Sequence, residues 1–544
     1  MNQRDAESQA AEFPHAWWVA GIFAILLLGL ALRLHGIANP ILDHPGWRQG
    51  DTAGIARNFA RLSYNVMYPQ TLYNGPPPNY VELELQIVPF LAATLYKAFG
   101  FHEIFGRFIS VAFSLATTVT LAYFARWLFA SAVAGLVAAF FFAVFPGSVY
   151  YGRTFMPDAA MVFFLTAALY GAARLLLEDP SLRPRPLARA TALVTFAYLA
   201  KPVAVLALLP LIALTWQRLR MGLPTRPTAA GVLLLVPLFI LWLYDRRVAS
   251  YAEWHWASGI TQLHVLPALR DSFASLASFQ AKVTAFGGAI GMLRETLLGT
   301  SGFLCSIAGF LALPWLASRS RALLWSWLVA ALAYIFVVVT VERVDYYMLV
   351  ILPLCALVIG GALARFVTSV LRADAAPLAR YAIVALVPIL GIVVLLQGRA
   401  AVASYYRFRP EVYANARALN ARLDPNALVV IGHYGPDVQY YIDRFGWEED
   451  PALWTPFDEE SAIRKGARYF VSIEDHRLRR NADLCAWLQR FPVLDPTAPW
   501  IVYETDPAKE LPKADAFWRA YRNAARNGQG RAFLDRHRVC EIGP

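Results

Sequence analysis

A multi-pass α-helical membrane protein with a soluble α/β domain at its C-terminal end is the fold class this sequence predicts. Three observations predict it. Of 544 residues, 58% are hydrophobic and only 16% are charged, where soluble domains average about a quarter charged. Apolar runs long enough to cross a hydrocarbon core of ~30 Å recur until about Leu396. From Ala401 onward, charged residues and short alternating apolar stretches replace them.

Residues 1–15 are polar and mixed in charge. They lack the basic start and small-residue cleavage site of a signal peptide, so they read as a cytoplasmic tail. Spans are read at Ala16–Ala38, Phe108–Leu128, Ala132–Val149, Ala159–Leu177, Thr228–Tyr244, Gly302–Ala317, Ala322–Thr340, Tyr346–Phe366 and Tyr381–Leu396. The apolar stretch Ala190–Trp216 is too long for one untilted helix and carries Lys201-Pro202 at its middle. Proline disrupts a helix interior, so two short helices meeting at Lys201 are expected, which brings the crossings to eleven.

Arginine placement sets the expected orientation. Arg174, Arg183, Arg185 and Arg189 share one loop, Arg218, Arg220 and Arg226 a second, Arg319 and Arg321 a third, and Arg365, Arg372 and Arg380 a fourth. With the N-terminus inside, all four loops face the cytoplasm, as the positive-inside rule requires; Arg246 and Arg247 fall outside. The net charge of +11 belongs with these loops rather than with nucleic acid. The scheme holds only if apolar Leu85–Phe99 lies along the outer surface instead of crossing. Residues 39–106 then form a first external loop and residues 245–301 a second. The helical membrane domain is 16–400, in the inner membrane, and residues 401–544 form a periplasmic α/β domain. Within it, "ALVVIGHYG", "ARYFVSI" and "WIVYET" read as strands, and "PDVQYYIDRF" and "ADLCAWLQRF" as helices. Cys305 and Cys355 lie in apolar helices, whereas Cys485 and Cys540 can pair as a disulfide if their domain is exported. No zinc-ligand spacing is present.

The polar residues with chemical potential converge on the outer side of this scheme: Asp51 and Glu84 in the first loop, Asp158 at the start of one span, Arg343 and Asp345 at the start of another, and Lys201 at the helix break. A carboxylate at the mouth of a bundle, with arginines near, suits a general base, a metal ligand or a lipid head-group site. Arginine suits phosphate, since its fork makes two charge-assisted bonds at once. Structural roles are also open: Asp158 and Asp51 both fit helix caps, Lys201 fits a snorkelling residue, and His255 in "EWHWASG" fits an interfacial aromatic anchor. By spacing alone, transport and catalysis are equally served.

Several motifs carry a resemblance. "WRQGDTAGIARNF" is similar to a "WRQxDTAxIARNF" signature, and "ELQIVPFLAATLYKAFG" to "EFPLYPYLVALLYKLFG", which puts Glu84 at the glutamate position. "YYGRTFMPDAAMVFFLTAALY" resembles a second signature with an Arg and then an Asp before a helix. "YLAKPVAVLALLP" resembles "LTKGPVGLLLP", and "RVDYYMLVILPLCALVIG" resembles "HDYYLLPLLPPLALLIG". Residues 16–400 thus resemble the membrane-embedded glycosyltransferases of the GT-C fold, in the branch of protein O-mannosyltransferases and the lipid A aminoarabinose transferase (glycosyltransferase family 39).

The resemblance implies transfer of a sugar from a polyprenyl-phosphate carrier, with inversion, to a glycolipid, glycan or protein acceptor outside the membrane. It implies Asp51, Asp158 and Glu84 as the catalytic acids, and as holders of Mg²⁺ or Mn²⁺ if a metal is used; a metal-free site is equally drawable. It implies Arg48, Lys201, Arg343 and Arg153 at the donor phosphate, and Gln49, Arg57, Asp345, Tyr346 and His255 at the substrate. The chain departs from the pattern in three places: Arg48-Gln49, or a shifted Asp51, stands where many relatives have an Asp-Glu pair, Gln86 stands where the family often has a proline, and Val344 replaces a histidine. Two other readings share the charged rim: a flippase of lipid-linked sugars, and a non-catalytic envelope-assembly subunit. A transporter places charges near the bilayer midplane and often carries inverted repeats, and neither is visible.

Overall fold

The computed structural model describes residues 14–224, 226–252, 261–372 and 377–540. Seven described helices are long and apolar enough to cross a membrane, and nine if each of two bent pairs is one span. The chain is a multi-pass membrane protein. Two of the eleven expected crossings lie outside that count, because Ala132–Val144 has 13 residues and Pro184–Ala200 has 17. The helix from Asp345 to Val370 has 83% of its apolar stretch buried, against 17% for His15–Leu34. The first is therefore the bundle's centre, and the second presents its apolar surface outward, as a lipid-facing helix does. Ala132–Val144 reaches that centre through small residues. A Cβ on Gly360 would lie 2.6 Å from the Ala134 carbonyl oxygen, and one on Gly135 2.4 Å from that of Ala122. Close backbone approach of this kind needs residues without bulk.

Pro184–Ala200 ends at Lys201, whose backbone is extended (φ −166°, ψ 125°), and a 3₁₀ turn over Pro202–Ala207 leads into Leu208–Arg220. Pro202 causes the break, since proline disfavours helical backbone in the residue before it. Within residues 245–301, expected as a loop, the described residues after Thr261 are largely helical. They hold the helices Leu266–Asp271 and Leu276–Met292, and the segment Leu276–Leu298 bends by 109° into Thr300–Trp315. The bend falls at Gly299, with φ +71°, a conformation open to glycine. The helix Ile87–Phe99 has 13 residues, about 20 Å, too short to cross. It turns Val88, Ala92 and Tyr96 toward Ala53 and Ala56 of the helix Gly46–Arg61.

The C-terminal domain carries a four-stranded sheet. Its strands are β1 (Leu428–Gly432), β2 (Gly446–Glu448), β3 (Ala467–Ser472) and β4 (Ile501–Tyr503), in the order β2-β1-β3-β4. β1 is parallel to β2 and β3, and β4 is antiparallel to β3. The sequence signals β1, β3 and β4; β2 is three residues, too short to show alternation. Cys485 and Cys540 are joined as a disulfide with Cα atoms 6.2 Å apart.

The domain sits on the helix Gly46–Arg61 through its own helix Pro436–Ile442. Gly50 is the seat, since a Cβ there would lie 2.4 Å from the Asp437 Cα. Arg57 crosses the junction: it is 2.9 Å from Asp443 Oδ1, donates to the Tyr440 carbonyl at 2.8 Å, and lies 4.3 Å over the Tyr440 ring. The domain's own seat is held by His433, which is 3.3 Å from both Asp437 and Glu474. Burial works against its charge, but the two carboxylates outweigh it and raise the pKa to about 10. A folded pKa above the unfolded value near 6.5 adds stability that is complete below pH 6.5 and lost as pH rises through about 10. The thermal midpoint of the wild-type chain is therefore expected to fall between those pH values, and that of His433→Gln to lack this component. Parallel curves for the two chains would refute the pairing.

Candidate active site

The helix Gly46–Arg61 is polar yet buried along most of its length, with Arg48, Gln49, Asp51, Arg57 and Asn58 all enclosed. Buried charge must be paired, so each of these side chains has to find a partner within the protein. The helix starts directly after Pro45, which places Asp51 inside it; Asp51 is not the cap that TAGIARNF alone suggests. Arg48 bonds Asp51 Oδ2 at 2.6 Å across one helical turn. Its other terminal nitrogen bonds Glu84 Oε1. Tyr73 donates its hydroxyl to Asp51 Oδ1 at 2.9 Å. Burial opposes the charge of Arg48, but Glu84 and Asp51 together outweigh it and hold its pKa above the ordinary value.

A second pair lies beside the first. Lys201, freed by the break before Pro202, reaches Asp158 Oδ1 at 2.7 Å. Its ammonium also lies 5.0 Å over the Tyr346 ring and 4.9 Å over that of Tyr347. Asp158 is the first residue of its helix and makes no capping bond, so the cap reading fails; its carboxylate still lies at the favourable end of the helix dipole. Arg48 feels the charge of Asp158 as well as those of Asp51 and Glu84, which makes the two pairs one electrostatic unit. Among the described residues, Asp158 Oδ2 and the Tyr346 hydroxyl are both buried without a hydrogen-bond partner. Leaving such groups unpaired is costly, so both are open to a polar partner.

Other residues expected at the site are engaged elsewhere. Arg153 and Gln49 both turn to Asp43, at 2.7 Å each, and Arg107 joins them at 2.9 Å. Asp43 is wholly buried, and two guanidiniums neutralise it. Arg153 is also fully enclosed, so its fork is closed to a phosphate in this arrangement. Arg57 belongs to the domain junction. Asp345 spends both oxygens internally: Tyr151 at 2.6 Å and the Tyr346 backbone N–H at 2.7 Å on one, Tyr405 at 2.8 Å and Thr296 at 3.2 Å on the other. Arg343 is exposed at φ +52° just before that helix and makes no ion pair among the described residues. His255 lies outside the described residues. Asp43, Arg107 and Tyr73 carry no local motif, and nothing in the sequence singles them out.

The carboxylates of Asp51, Glu84 and Asp158 do not fit a resident metal as arranged. Each is paired with Arg48 or Lys201, and no group of three metal-ligating side chains converges among the described residues.

Residues 86–244 match the family described as dolichyl-phosphate-mannose-protein mannosyltransferase. No curated protein matches the chain by sequence. Among solved structures, the chain is similar to ArnT from Cupriavidus metallidurans bound to undecaprenyl phosphate, with TM-score 0.55 and 14% identity over 92% of this chain and 100% of that one. It is also similar to the archaeal oligosaccharyltransferase AglB from Archaeoglobus fulgidus in complex with an inhibitory peptide and a dolichol-phosphate, with TM-score 0.55 and 13% identity over 91% of this chain and 75% of that one. The chain has the GT-C fold of these membrane glycosyltransferases.

Proposed function

We propose that this GT-C chain transfers a sugar from a polyprenyl-phosphate carrier to a hydroxyl of a cell-envelope acceptor at the outer face of the cytoplasmic membrane. The observation that carries the reading is the pairing of Arg48–Asp51–Glu84 with Lys201–Asp158 in one buried unit, beside two orphaned polar groups. The family match over residues 86–244 and the lipid phosphates named for the two similar structures support it. The arginine-rich loops on one side and the disulfide in the C-terminal domain support the orientation.

In this reading Asp51 takes the proton of the acceptor hydroxyl. The oxygen forms its bond to the anomeric carbon from the face opposite the phosphate. The bond from that carbon to the phosphate oxygen breaks, its electrons stay on the phosphate, and the sugar's configuration inverts. Lys201, with exposed Arg343 at the rim, meets the charge that grows on the leaving phosphate. Glu84 holds Arg48 in place, and Asp158 holds Lys201. No step needs a metal.

The test is transfer of labelled sugar from a panel of synthetic polyprenyl-phosphate sugars to an envelope extract, with and without EDTA. Transfer that persists in EDTA is the expected result. Transfer that stops in EDTA and returns with Mg²⁺ or Mn²⁺ would overturn the metal-free reading. No transfer from any donor, together with movement of labelled lipid-linked sugar across vesicles, would favour a flippase instead.

A further inference from the structure

Tyr73 lies outside every motif, in the stretch between the helices Gly46–Arg61 and Ile87–Phe99. It is 6% exposed and donates to Asp51 Oδ1, while Arg48 holds Oδ2. Two donors on opposite oxygens fix the plane of a carboxylate that would otherwise rotate, and each oxygen keeps a second lone pair for an acceptor hydroxyl. Burial first, and then the Asp51 carboxylate, push the phenol's pKa well above its ordinary value, so Tyr73 keeps its proton and stays a donor.

The backbone on either side of Tyr73 is fastened twice. From the membrane domain, Asn58 donates to the carbonyls of Gln70 at 2.8 Å and Thr71 at 3.2 Å. From the C-terminal domain, Gln439 Nε2 donates to the Leu72 carbonyl at 2.9 Å, the Gly446 N–H donates to the same oxygen at 3.0 Å, and the Gly75 N–H donates to the Gly446 carbonyl at 2.8 Å. Gln439 is wholly buried. Gly446 has φ +151°, and a Cβ there would lie 1.8 Å from the Val429 carbonyl oxygen, so only glycine can start β2 at this point.

We infer that Tyr73 is a positioning residue for the Asp51 carboxylate, and that the C-terminal domain, through Gln439 and Gly446, sets where Tyr73 stands. The inference rests on the reading of Asp51 as the base. It gives the domain a part in catalysis that acts through orientation, with no domain residue touching the reacting atoms.

The experiment compares full-length wild type, Tyr73→Phe and Gln439→Leu in the transfer assay, by thermal unfolding, and by hydrogen exchange over residues 70–75. Tyr73→Phe is expected to lower kcat by about tenfold to a hundredfold. Its donor KM should stay within roughly twofold and its thermal midpoint near that of wild type, because the change removes orientation rather than ground-state binding. Gln439→Leu, which touches no group of the site, is expected to lower kcat by about two- to thirtyfold and to speed exchange over residues 70–75. Unchanged kcat in Tyr73→Phe would overturn the inference, as would a loss of kcat that tracks a rising KM and a falling midpoint. Unchanged exchange in Gln439→Leu would overturn the part played by the domain. A wild-type chain that transfers nothing is a different failure, that of the transferase reading, and the exchange result is read independently of it.

Discussion

Asp51→Asn is expected to lower sugar transfer by about 10²- to 10⁴-fold, the range that a positioned general base supplies. Asparagine has the shape of aspartate. Its amide oxygen can still accept from Arg48, and its amide nitrogen can face the Tyr73 oxygen, so the helix Gly46–Arg61 keeps its packing. The carboxamide, however, cannot take the acceptor's proton. Arg48 also retains Glu84, so no buried guanidinium is left alone. The measurement is transfer by purified wild type and variant, after their thermal midpoints have been matched. Equal rates would remove Asp51 as the base and move that role to Glu84, whose side chain is only 9% exposed and shares the same arginine.

Lys201→Met is expected to cost both stability and activity, and a second substitution separates the two. Asp158 is fully buried, and the side chain of Lys201 is 13% exposed. Removing the lysine leaves an uncompensated buried carboxylate, a loss that costs about 3–5 kcal/mol in comparable pairs. The double variant Lys201→Met/Asp158→Leu removes both charges and is expected to recover most of the lost thermal midpoint. It should not recover transfer, because the phosphate's counter-charge is still missing, a deficit of about 10²- to 10³-fold. A double variant with wild-type transfer would show that Lys201 serves only to neutralise Asp158.

The parts of the fold legible in the sequence are those set by local physics. Long apolar runs mark most of the spans, and Lys201-Pro202 marks the break, because proline acts on its immediate neighbour. Alternating apolar residues mark β1, β3 and β4. The helix Leu276–Met292 is hidden, since Ser, Lys, Thr and three Gly dilute "LASFQAKVTAFGGAIGM" as a membrane signal. Within the candidate site, the spacing of Arg48 and Asp51 foretells their pairing across one turn. Nothing local tells which arginine answers which carboxylate over longer distances. Arg153 shares a motif with Asp158 yet bonds Asp43, 110 residues before it. Tyr73 has no motif at all. Its place is decided by where a distant domain docks, which no window of sequence contains.

The seat at Gly50 has a consequence for anyone building hybrids. The helix with the proposed base has one partner set among the membrane helices and another in the C-terminal domain: Asp437 against Gly50, Asp443 for Arg57, and the strap at Leu72. A chimera that grafts a relative's C-terminal half onto this membrane half would inherit the wrong counterpart to a lock cut in residues 46–75. For such a graft to seat as the native half does, the segment 46–75 has to travel with it as a matched cassette.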